Sequence, residues 1–178
     1  GGEESPREWK LRAGALPTAI VLALMFHSCD TGHFVQRSAL SMPLHELGHA
    51  MTAWWCGFAA LPSLWKTLIT ETRGVFVPGL LAAGNAFLVW RGWTTQRTWL
   101  CVIGLGLGAL QFIAYTSADT TAAAAITFGG DAGAMVLGSL LMLTFFVRRG
   151  SRLRAGGLRF GLLAIGAAGF VDAFATWW

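Results

Sequence analysis

Long apolar runs separated by short polar patches divide the chain into six segments. They are Ala13–Cys29, about Ser38–Phe58, Gly74–Trp90, Thr98–Ala118, about Thr121–Val147 and Leu158–Trp178. Each approaches the roughly 20 residues that a helix needs to cross the hydrocarbon core of a bilayer. Helix is the expected state of all six, because lipid leaves exposed backbone N–H and C=O groups without partners. Two segments carry ionisable residues: the second holds His45, Glu46 and His49, and the fifth holds Asp131. The third is short and contains Pro78, Gly79, Gly84 and Asn85. That composition suits irregular backbone, which is tolerated at membrane depth only where protein or a cavity surrounds it.

Composition agrees with this pattern. The chain has 178 residues, of which 54% are apolar and only 12% charged. A soluble domain carries about 25% charged residues. A chain this small leaves much of its surface exposed, so its apolar residues cannot all hide in one core. A soluble globular protein, a disordered tail and a nucleic-acid binder are therefore disfavoured, and the lipid bilayer is the first partner. The formal charge of +4 does not imply nucleic acid, since most of it lies in short segments between apolar runs. Cys29, Cys56 and Cys101 form no C-x-x-C pair and are expected to be structural thiols. Trp9, Trp65, Trp90, Trp93, Trp99, Trp177 and Trp178 sit near segment ends, the usual interfacial pattern.

The Lys and Arg residues bear on topology. Six full crossings would put eight of them on one side and five on the other. If the third segment dips in and returns, one side holds twelve and the other only Arg37. The positive-inside rule prefers the second arrangement. The expected fold is an all-α integral membrane protein, with five transmembrane helices and one re-entrant segment. Six full crossings are the alternative. Residues 1–178 form a single membrane domain, its N-terminus is cytoplasmic, and the expected location is a bacterial inner membrane.

The second segment reads Met42-Pro43-Leu44-His45-Glu46-Leu47-Gly48-His49-Ala50, which is H-E-x-x-H on a helix. Residues four apart share a helix face, so His45 and His49 can reach one metal ion. Glu46 is offset by about 100° and can hydrogen-bond a water held by that metal without being a ligand. Zinc lowers the pKa of bound water to about 7, and Glu46 can then accept its proton. Ionisable groups inside an apolar segment cost several kcal/mol unless they are paired or ligated. Pro43 suits the start of a helical turn or a kink in a longer helix. A catalytic zinc takes three protein ligands and keeps one position open. Asp131, in Phe128-Gly129-Gly130-Asp131-Ala132-Gly133, is the candidate third ligand; its glycines let another helix come close. The zinc-site core is expected within residues 38–147.

Other polar residues carry weaker signals. His27, Asp30 and His33 cluster between the first two segments, where interfacial solvation or an alternative ligand would explain them. Asn85 is a candidate substrate-binding amide that could donate to a substrate carbonyl, or a structural amide. Asp172 lies inside the last segment with no obvious partner, which suits helix packing or interface solvation. Gly104, Gly106 and Gly108 suggest a close helix contact. The basic run Arg148–Arg159 reads as a solvated loop touching anionic headgroups.

The residues His45, Glu46, Gly48, His49 and Ala50, with a Gly-flanked Asp131 downstream, resemble the site-2 protease family of intramembrane zinc metallopeptidases. Gly57 falls where that family often closes the motif helix. The resemblance implies zinc as cofactor, held by His45, His49 and Asp131, with Glu46 as the catalytic base. It also implies a three-helix core with a membrane-inserted element near residues 57–97, and cleavage of membrane-anchored protein substrates. The chain departs from the family in lacking its Asn-Pro-x-x-x-Asp-Gly stretch: Asp131 is followed by Ala132. The second reading is a non-catalytic accessory subunit of a larger membrane complex that keeps the metallopeptidase-like fold.

Overall fold

A computed structural model describes residues 6–147 and 157–178, with side chains from Glu8 onward. Helix α1 spans Pro6–His27 and a short α2 spans Asp30–Val35. A π-helical turn, Gln36–Ser41, leads into α3, Met42–Trp55. Strands β1 (Phe58–Pro62) and β2 (Thr67–Arg73) follow, then α4 (Phe76–Thr94), α5 (Thr98–Thr116), α6 (Asp119–Thr144) and α7 (Leu158–Trp177). Among the described residues, four helical stretches are long and apolar enough to cross a membrane: Glu8–His27, Thr98–Thr116, Asp119–Thr144 and Leu158–Trp177. The chain is therefore that of a mainly helical, membrane-embedded protein. The basic run expected to touch headgroups lies outside the described residues, apart from Arg159.

Three expectations need correction. The fold is not purely α: Phe58–Pro62 and Thr67–Arg73 pair as an antiparallel hairpin with a bulge between Phe58 and Ala60. Thr67, Ile69, Thr70 and Thr72 supply the β-branched side chains that favour extended backbone. Ser63 closes the turn, with its hydroxyl donating to the Lys66 carbonyl at 2.6 Å. The second segment begins earlier than expected, because helical backbone runs from Asp30 through the π turn to Trp55. Pro43 does not open a helix. It lacks the N–H of the repeat and its ring crowds the carbonyl four residues back, and the wider π turn immediately precedes it. The third segment, expected to be irregular, is an unbroken 19-residue helix. Pro78 sits in its first turn, where an N–H would have no helical partner in any case.

Contacts divide the chain into two units, Gly1–Gly48 with Gly130–Trp178, and His49–Gly129. In the first unit α1 and α7 run side by side in the same direction. Arg159 Nη1 donates to Glu8 Oε1 at 2.9 Å near their starts, and His27 lies 3.8 Å from Asp172 near their ends. Between these polar ends Ala23, Leu163, Ala167 and Val171 pack with Met142 and Phe145 of the α6 region. Gly138 and Gly166 let α6 and α7 touch backbone to backbone, since a Cβ on either would overlap the other's carbonyl.

In the second unit α4 and α5 form an antiparallel hairpin of equal length, 19 residues each. Gly104 packs against the Asn85 carbonyl and Val89, whereas Gly106 and Gly108 face open space, so only one of the three glycines makes the expected contact. Arg73 ties β2 to the α5–α6 junction: its guanidinium donates to the Tyr115 and Ser117 carbonyls at 2.6 Å. Gly57 ends the α3 turn with φ +93°, a left-handed conformation in which a side chain would also collide with Tyr115.

Candidate metal centre

The centre begins with helix α3. One ligand atom each from His45, Glu46 and His49 lies within 4.8 Å of the others, on adjacent turns of this single helix. Glu46 is buried and the two histidines are half-buried. Two imidazoles and a carboxylate are a donor set of the kind that holds zinc-type cations.

Asp131 reaches this cluster through His45. Its Oδ1 lies 3.0 Å from His45 Nδ1. Two ligands of a tetrahedral zinc with bonds near 2.0 Å stand about 3.3 Å apart, so this separation is close to what a shared metal requires. The approach depends on glycine: a Cβ on Gly133 would overlap the Gly48 backbone. Further along the helices, a Cβ on Gly129 would collide with the Thr52 side chain. The glycines around Asp131 thus lie at the helix contact, as the sequence suggests. Asp131 is not a member of the tight group formed by the other three residues; it touches His45.

Two partners orient the His49 and Asp131 side chains. His49 Nδ1 lies 2.6 Å from the Ile126 carbonyl. A carbonyl can only accept, so Nδ1 is the donor in this contact. Trp177 Nε1 donates to Asp131 Oδ2 at 3.1 Å, which leaves Oδ1 directed at His45. Trp177 is the residue that sequence reading misses, because an interfacial tryptophan at a helix end needs no further explanation.

Asn85 makes a different contact. Its Nδ2 donates to Gln111 Oε1 at 2.9 Å, and Gln111 Nε2 donates to the Pro78 carbonyl at 2.6 Å. This relay joins α4 to α5, which is the structural use of an amide inside an apolar helix pair. Cys29, Cys56 and Cys101 are free thiols. Asp172, which lacks an obvious partner in the sequence, accepts from Ser41 Oγ at 2.6 Å and from Arg37 Nη1 at 3.3 Å.

Comparison of the chain with protein-family models, with curated proteins and with solved structures gave no match.

Proposed function

We propose that the chain is an intramembrane zinc metallopeptidase that cleaves membrane-anchored protein substrates. The observation that carries this reading is the 3.0 Å approach of Asp131 to His45, on a helix that presents His49 one turn further on. His45, His49 and Asp131 would hold the zinc. When bound, zinc supplies a Lewis acid that brings the acidity of water to near neutrality. Glu46, which is not one of the three ligands, would take a proton from the attacking water on its carboxylate and pass it to the leaving amine. The Ile126 carbonyl and the Trp177 indole keep the His49 and Asp131 side chains oriented.

We propose five membrane crossings with a cytoplasmic N-terminus in a bacterial inner membrane. The parallel run of α1 and α7 supports an odd total, because two helices that enter from one side need an odd number of crossing segments between them. Six full crossings would bring them in from opposite sides. If α4 does not cross, twelve Lys and Arg stand on the N-terminal side and only Arg37 opposite. Incubation of the purified protein with membrane-anchored substrates, beside Glu46→Gln, tests the reading. Cleavage that the variant lacks supports it. Co-purification at fixed stoichiometry with a membrane complex, with no zinc-dependent cleavage, would favour the accessory-subunit alternative.

A further inference from the structure

Asp172 is 3% exposed near the end of the apolar helix α7, and its two oxygens have different fates. Oδ2 is satisfied by the Ser41 hydroxyl and the Arg37 guanidinium. Oδ1 is buried and has no hydrogen-bond partner among the described residues. Facing it are His33 Nε2 at 3.3 Å and His27 Nδ1 at 3.8 Å. His27 Nδ1 is likewise buried without a hydrogen bond. The two imidazole rings are tilted at 59°, with centroids 4.4 Å apart. Three donor atoms thus converge on one small space, all within 4.8 Å of one another.

We infer that His27, His33 and Asp172 form a second metal site, separate from the His45 cluster, that binds a divalent cation of the zinc type. Two imidazoles and one carboxylate are a borderline-soft donor set suited to such ions. Adjacent ligands of tetrahedral zinc are about 3.3 Å apart, given bonds near 2.0 Å. The His33–Asp172 separation is already 3.3 Å, and the His27–Asp172 separation needs to close only slightly from 3.8 Å. A cation at the centre gives both orphaned atoms a partner, which no direct hydrogen bond between them does. Ser41 and Arg37 hold the carboxylate by its other oxygen and present Oδ1 inward, the outer-shell arrangement that ligating carboxylates commonly have. The half-exposed His33 and Arg37 side chains leave one flank open to solvent for the ion to arrive. His27 ends α1, His33 lies on α2 and Asp172 on α7, so the ion would fasten three helices at one end of their unit.

The test is a zinc titration of the chelator-treated full chain in detergent, on three variants whose folds are checked by circular dichroism. The paired change His45→Ala/His49→Ala should leave one zinc per chain, and adding His27→Ala/His33→Ala should abolish it. In the first variant cobalt(II) should give the strong visible bands of a tetrahedral site, lost in the second. His27 and His33 are partly exposed, so the substitutions spare the core; Asp172→Asn serves as an independent ligand change. A folded His45→Ala/His49→Ala chain that binds no zinc would overturn the second site, as would zinc retained after loss of His27 and His33. Neither result bears on the peptidase reading, which concerns the ion lost with His45 and His49.

Discussion

Asp131 Oδ1 lies 3.0 Å from His45 Nδ1, although the two residues belong to different helices that meet across glycine. This contact brings a carboxylate from a second helix to one histidine of the H-E-x-x-H turn. The contact exists because Gly133 presents no side chain to Gly48.

Loss of the base should separate binding from chemistry. Glu46→Gln should retain the zinc that depends on His45 and lower proteolysis by at least about 100-fold, the usual contribution of a positioned general base. Cleavage at the wild-type rate by that variant would remove Glu46 from the mechanism.

Asp131 and Trp177 should differ in degree. Trp177→Phe removes only the indole donor to Asp131, and zinc affinity should fall by about 10-fold, as for loss of an outer-shell partner. Asp131→Ala removes the carboxylate itself and should weaken zinc by more than that. Isothermal titration of the two variants checks the order, and an Asp131→Ala chain with wild-type affinity would exclude Asp131 as a ligand.

Glycine should matter only where helices touch. Gly133→Ala forces a methyl group into the Gly48 backbone and should cost roughly 1–3 kcal/mol, the usual range for overpacking. Gly106→Ala meets nothing within 4 Å and should be neutral or stabilising, since alanine is the better helix former. Thermal unfolding in detergent distinguishes them; equal stability would place the helix contact elsewhere.

Topology has a direct readout. The parallel α1 and α7 predict that cysteines introduced at Trp9 and Leu158, in a cysteine-free background, react with an impermeant maleimide from the same side of sealed vesicles. Labelling from opposite sides would restore six full crossings.

Much of this architecture can be read from the chain itself. The apolar runs of α1, α5, α6 and α7 mark helices because hydrocarbon leaves the backbone no other state. The candidate site is visible because His45, Glu46, His49 and Asp131 are ionisable residues that are costly to place within apolar segments. The β-hairpin is not visible in that way. Leu61, Leu64, Leu68 and Ile69 extend the apolar pattern without a helical or strand period strong enough to stand out, so local β-branching decides the outcome. The helix at Phe76–Thr94 is hidden for the opposite reason: Pro78, Gly79 and Gly84 suggest breaks, but the proline falls in the first turn and Gly79 and Gly84 face open space. Asp172 reads as isolated because Ser41, Arg37, His27 and His33 come from distant parts of the sequence.

The central claim concerns the metal at His45 and His49, and elemental analysis of zinc per chain tests it most directly. Wild-type protein prepared without chelators should contain one more zinc per chain than the folded His45→Ala/His49→Ala variant. Equal zinc in the two would contradict the metallopeptidase account.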